Sequence, residues 1–224
     1  MHPDRRKQNR ARIERGGLAD FRLDLATPFL KLMKAHGGND MTALDWRDSV
    51  LDFWFKELTP QDWYSGKPET DALIRERFAP LYARLKQSPP AEAHSEPLTA
   101  LAAVIVFDQF PRNLFRKQPD AFATDALAVK IARRAVEAGF DRDMPAEQKQ
   151  FLYMPLMHSE ELADQERCVE LFRGLGNEEG LKYAIEHRDI IARFGRFPHR
   201  NRALGRATTA EEAEFLTGHS GYGQ

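Results

Sequence analysis

The sequence predicts an all-α protein of stacked antiparallel helices, and three observations carry that expectation. From Trp46 onward apolar residues recur at spacings of three and four, the signature of one helix face. Glycine, proline and capping residues cut this pattern into pieces of helical length, joined by short connections of the kind that link antiparallel neighbours. No strand pair and no Asn-Gly hairpin turn is found.

Val50, Phe53, Trp54 and Leu58 open the series with one apolar face. Thr59-Pro60 resets the chain, because a threonine side chain accepts from the free amides of a new helix and proline suits its first position. Residues 71–85 carry the next stripe, Ile74, Phe78, Leu81, Tyr82 and Leu85, and the proline-rich stretch 87–97 is a loop. Residues 98–110 are apolar on every side but the end, which predicts a helix buried all round, with Pro111 as its stop. A buried strand is the rival there, given Val104, Ile105 and Val106, but the length and the Leu/Ala content favour helix.

A second amphipathic helix covers 121–138, closed by Gly139. Residues 145–157 form a third, with Pro155 forcing a kink or break near Met154. In the fourth, 159–175, Glu160 and Glu161 complement the positive N-terminus and Gly174 and Gly176 stop it. The fifth, 177–194, is capped by Asn177 and stopped by Gly195. Thr208 and Thr209 with Glu211 and Glu212 make overlapping capping boxes for a last short helix, and HSGYGQ reads as a frayed tail.

Composition narrows the class. The chain has 224 residues, 42% apolar and 30% charged, enough for one domain or a domain with an appendage. Its single cysteine, Cys168, excludes a disulfide framework and a cysteine zinc site. A net charge of −1 argues against a nucleic-acid partner, and no apolar run is long enough to span a membrane. Residues 1–40 differ in kind, with Arg5, Arg6, Lys7, Arg10, Arg12, Arg15, Arg22, Lys31 and Lys34 ahead of the joint Gly37-Gly38-Asn39-Asp40. They read either as a basic N-terminal extension or as a mis-assigned start ahead of Met41, with 41–224 the single domain. A targeting peptide is disfavoured, since charges interrupt the apolar stretch.

Several strings resemble a known family: LDFWF (51–55), FDQFPRNLFR (107–116), FATDALA (122–128), FLYMPLMHSEELADQ (151–165) and FGRFPHRNRALGRATTAEEAEFL (194–216). In order and over about 44–217, they look like the bacterial domain-of-unknown-function family 924. The resemblance implies an all-α fold similar to tetratricopeptide-repeat hairpins, and it implies no activity. The segment 1–40 falls outside it.

The chemistry-bearing candidates come from polar residues on apolar faces. Asp108 lies in line with Leu101, Val104 and Ile105, so it needs a cationic partner, with Arg112, Arg196 and Arg200 as candidates. It is either half of a helix-locking ion pair or a general base. His158 and Glu161 are spaced for a metal clamp or a carboxylate-oriented histidine, and the plainer reading is a helix cap with dipole-complementing acids. Gln165 shares the stripe of Leu162, Val169 and Phe172, and His187 lies among Tyr183, Ile190, Ile191 and Phe194, where a core role competes with a pocket shared with His158 and His199.

Residues 193–206 hold Arg193, Arg196, Arg200, Arg202 and Arg206 with His199 and no acid. Arginine forks suit carboxylates and phosphates, but Glu160, Glu161, Asp164, Glu166 and Glu170 offer partners for all five. The leading expectation is a cytoplasmic binder of a small anionic ligand. Its catalytic candidates are His158, His187 and Asp108, and its ligand contacts Arg112, Asn113, Glu161, Gln165, Arg196, His199 and Arg200. A hydrolase using His158 or His187 as base, with or without metal, and a helical-repeat adaptor for a peptide or protein are the alternatives. No residue is assigned to a metal, and no cofactor is named.

Overall fold

The computed structural model describes residues 43–64, 66–219 and 221–223, and among them every regular element is helical. The readings of segment 1–40 lie outside the described residues. Helix α1 (Ala43–Asp52) runs on through a π turn, Phe53–Glu57, and buries Trp46, Val50, Phe53 and Trp54. The short α2 (Pro60–Tyr64) follows. Its start reverses the expected cap: the Asp62 carboxylate accepts from both the Thr59 amide (3.0 Å) and the Thr59 hydroxyl (2.7 Å). Helix α3 (Pro68–Gln87) buries the predicted stripe, and a 3-10 turn, Ala91–His94, lies in the loop after it.

Helix α4 (Pro97–Val104) is the axis of the fold, touching α1 and two later helices, so its residues 100–104 are fully buried. Pro111 does not end it. The helix widens into a π turn, Ile105–Gln109, where the Phe110 amide reaches back to Ile105, and continues as α5 (Phe110–Leu114). Pro111 has no N–H to give the Phe107 carbonyl, and the Thr124 hydroxyl donates to that carbonyl instead, at 2.6 Å. Asp108 thus lies mid-helix, not at a C-terminus.

With its hydroxyl so engaged, Thr124 does not cap through its side chain, and α6 (Asp125–Glu137) starts later than the pattern predicts, after a 3-10 turn at Pro119–Phe122. Helix α7 (Ala146–His158) continues through Pro155 to His158 without the expected break near Met154. Helix α8 (Leu162–Leu175) starts after Glu160 and Glu161, which lie ahead of its first turn, and ends in left-handed Gly176 (φ 71°). Helix α9 (Glu178–Phe194) has the predicted Asn177 cap, accepting from the Gly180 amide, and ends in left-handed Gly195. Helix α10 (Ala210–Gly218) carries the predicted capping box, made by Thr209 and Glu212.

Consecutive helices pack on each other: α6 on α4 and α7, α7 on α4 and α8, and α8 on α9. Most buried apolar residues join one core, while Ile190 and Ile191 of α9 form a second, small cluster with Phe197. Several of the polar residues singled out by the sequence, Asp108, His158, Gln165, His187 and Arg200, are buried.

Candidate active site

The centre of this group is Asp108, which is wholly buried in the π turn. The Nδ1 of His158, at the last residue of α7, lies 2.8 Å from Asp108 Oδ1 and 3.0 Å from Oδ2. Gln109 Nε2 donates to Oδ2 at 2.6 Å, and Arg112 Nη1 lies 3.3 Å from Oδ1. Burial alone would push the Asp108 carboxyl up, but the charges of Arg112 and His158 and the bonds from His158 and Gln109 hold it at about 2. The ionised carboxylate fixes His158 with its proton on Nδ1. Burial and then the Arg112 charge keep the imidazole below the ordinary histidine value, against the pull of Asp108. At neutral pH the Nε2 of His158 is therefore a lone-pair nitrogen, and it has no hydrogen-bond partner among the described residues. The side chain keeps 8% of its surface exposed.

A second carboxylate completes the charge balance. Asp125, in the first turn of α6, takes both arms of the Arg112 fork (3.0 and 3.1 Å) and Nη1 of Arg200 (3.2 Å). Arg200 is nearly buried, with its guanidinium 4.7 Å from the Phe122 ring centroid and 4.6 Å from that of Phe197. Burial lowers it to about 10, in part offset by Asp125. Its Nε is buried without a partner.

His187 faces the same region, its ring 6.4 Å from that of His158. Its Nδ1 donates to the Tyr183 carbonyl at 2.8 Å, the bonded-core role expected for it, and burial followed by the nearness of His158 pushes it to about 3. The tail does not fray at Tyr222: its ring stacks on His187 at 4.2 Å and its hydroxyl donates to Glu186 at 2.9 Å. His199 lies in the same aromatic group, 5.5 Å from Tyr222 and 5.3 Å from Phe197, with Nδ1 buried and unpartnered. Gln165 Nε2 donates to the carbonyls of Met157 and Ser159, both at 2.7 Å, which flank His158 and leave Gln165 Oε1 buried without a partner.

The structure thus brings together Asp108, Arg112, His158, His187 and Arg200, with Gln165 and His199 at the margins. Three expected residues sit elsewhere. Glu161 is exposed and shares no bond with His158, whose Nδ1 is already taken, so the metal-clamp geometry is not formed. Asn113 bonds the Gln109 carbonyl and Arg116. The Arg196 fork is closed on Glu212 at 2.6 and 2.9 Å. The arginine-rich stretch does pair with acids, but mostly not those of 159–170. Arg206 takes Glu160, while Arg193 takes Glu211 and Arg200 takes Asp125. Asp164 instead holds Arg133, at 2.6 Å to each oxygen.

Sequence reasoning missed Asp125, Phe122 and Tyr222. A first-turn aspartate reads as a dipole complement, which hides a second role. One signal lies in the sequence: Phe-Pro-Arg at 110–112 echoes Phe-Pro-His-Arg at 197–200, and both arginines end on Asp125.

A family model described as a bacterial protein of unknown function (DUF924) matches residues 50–220. The solved structure of a protein of unknown function from Agrobacterium tumefaciens is similar, at 35% identity and a TM-score of 0.75, over 80% of this chain and all of that one. No curated protein matches. Among the described residues no helix is long and apolar enough to cross a membrane.

Proposed function

This chain belongs to the DUF924 family of bacterial proteins, and we propose that it is an enzyme whose general base is His158, oriented by Asp108. The observation that carries the reading is the pair itself: a wholly buried, ionised carboxylate 2.8 Å from Nδ1, leaving Nε2 without a partner among the described residues. A buried carboxylate that serves only to lock helices needs no imidazole, because Arg112 already compensates it. The histidine adds a basic nitrogen held in one tautomer and one orientation.

Hydrolysis is the reaction class that fits such a nitrogen. Nε2 takes a proton from water as the water oxygen bonds to the substrate's electrophilic centre. The bond to the leaving group then breaks with its electron pair, and the leaving group takes the proton back from His158. An adaptor role has less support. The large exposed apolar side chains among the described residues, Tyr64, Leu73, Leu98, Leu162, Tyr183 and Leu204, come from six separate segments.

The test is turnover on a panel of carboxylic, phosphoric and amide esters by the wild type, His158→Gln and Asp108→Asn, each checked for fold by circular dichroism. Both variants are expected to lose about 10²–10⁴-fold in rate. A folded His158→Gln protein with wild-type turnover refutes the assignment, as does a wild type that turns over no member of the panel.

A further inference from the structure

We propose that the group recognised at this site is a protonated oxyanion of the phosphate type, a phosphate monoester or free phosphate in its monoanionic form, taken up with a net proton. This rests on the reading of His158 as a neutral base. The Tyr183 carbonyl can only accept, so His187 carries its proton on Nδ1 and presents a lone pair at Nε2. His158 does the same because Asp108 holds its Nδ1. Two imidazole acceptors thus lie with ring centroids 6.4 Å apart, and neither Nε2 has a donor among the described residues.

Gln165 adds a third acceptor. Its amide cannot be turned over, since Nε2 serves two carbonyls, so Oε1 is the buried orphan. Arg200 supplies the opposite need. It spends one N–H on Asp125 at 3.2 Å, and its buried Nε–H has no partner among the described residues. An occupant satisfying both kinds of atom offers an O–H group to an imidazole, leaving the other Nε2 for water, and bare oxygens to the guanidinium. A carboxylate or a fully ionised phosphate has oxygens for Arg200 but no proton for the histidines. A monoanionic phosphate group has both.

Charge points the same way. His158 is faced by Asp108, Arg112 and Asp125, and His187 by His158, Arg200 and His219, with Tyr222 stacked on it and bonded to Glu186. Within the buried set, Asp108 and Asp125 balance Arg112 and Arg200, and nearby Glu160 is balanced by Arg206. An incoming dianion adds two uncompensated charges, and the proton removes one of them.

The experiment is calorimetric titration of the full chain at pH 8 with inorganic phosphate, phenyl phosphate and sulfate, each in two buffers of different ionisation enthalpy. Expected is one site, uptake of about one proton per phosphate, and affinity falling about tenfold per pH unit as the solution anion loses its proton. Sulfate, with no proton to bring, binds at least about tenfold more weakly. Binding of phenyl phosphate but not inorganic phosphate assigns a monoester, and the reverse assigns the free ion. Arg200→Lys weakens binding, while exposed Arg202→Gln leaves it unchanged. Absence of binding, binding without proton uptake, or equal binding of sulfate overturns the inference. Nitrogen chemical shifts of His158 separate this failure from that of the base assignment. A neutral Nδ1–H tautomer with no phosphate binding removes only the anion, whereas an Nε2–H tautomer removes the base as well.

Discussion

Asp125→Asn tests whether one carboxylate compensates two buried arginines. The substitution keeps volume and one acceptor oxygen and removes the charge that faces Arg112 (10% exposed) and Arg200 (5% exposed). Asp108 still serves Arg112, but Arg200 is left with no anion at its fork. Stranding a buried charge costs about 3–5 kcal/mol. In a chain of this size each kcal/mol moves the melting point by about 2–4 °C, so the expected drop is roughly 6–20 °C. Arg200→Met alone costs less, because Asp125 keeps the bidentate Arg112 and the loss is mainly packing on Phe122 and Phe197. In the double variant there is no stranded guanidinium, so the two costs do not add, and the coupling is about 1–3 kcal/mol. Urea unfolding at pH 7 measures all four proteins. The same cycle on Arg193 and Glu211, both more than half exposed, gives less than about 1 kcal/mol. Additivity of the Asp125 and Arg200 changes to within about 0.5 kcal/mol refutes the reasoning.

Two further outcomes follow from the same interior. His187 is held at about 3 when folded, against about 6.5 unfolded, so the unfolded chain binds more protons below pH 6.5 and stability falls as pH drops through that value. Between pH 6 and 4 the loss approaches about 1.4 kcal/mol per pH unit from this residue, and His187→Gln flattens the slope in urea melts taken across the range. Asp108 has the same sign of linkage, its folded value also lying below the unfolded one: it contributes stability that is full above about pH 4 and disappears toward pH 2, so its loss falls in a more acid window that overlaps the lower end of that of His187. Thr124→Val keeps the shape but uncovers the Phe107 carbonyl left free by Pro111, at a cost of about 1–3 kcal/mol. A melting point equal to the wild type's would mean that carbonyl finds another donor.

What the sequence made legible followed from local rules. The stripes of α3 and α9, the Asn177 cap, the glycine stops and the Thr209–Glu212 box are all set by residues within a turn or two of each other. The failures share a different cause. Pro111 reads as a stop because proline lacks a donor, and the donor that replaces it, Thr124, is thirteen residues away. The start of α6 was misplaced for the same reason. Asp108 and His158 were legible as polar residues on apolar faces, but fifty positions separate them, and nothing local says that one orients the other. Tyr222 sits beside glycines, and its value comes from distant partners, the ring of His187 beneath it and the carboxylate of Glu186.

The arginine-rich stretch shows how one composition serves two purposes. Arg206 grips Glu160 with both arms and also donates to the Phe197 carbonyl at 2.9 Å, while the Phe197 amide donates to Glu160 at 2.8 Å. Phe197 is therefore held from both sides of its peptide chain. Its ring lies under the Arg200 guanidinium and 5.5 Å from His187. Arg196, closed on Glu212 and bonded to the Ala207 carbonyl, ties the far end of the same loop to α10. These forks meet their acids through two nitrogens each, so they act as a frame. Of the three expected anion-holding arginines, Arg112 and Arg200 each keep a buried Nε without a partner among the described residues, and of these two Arg200 pairs with Asp125 through a single nitrogen. An acid-free run of arginines reads as an anion site because composition counts charges, whereas recognition depends on which donors the fold leaves unspent.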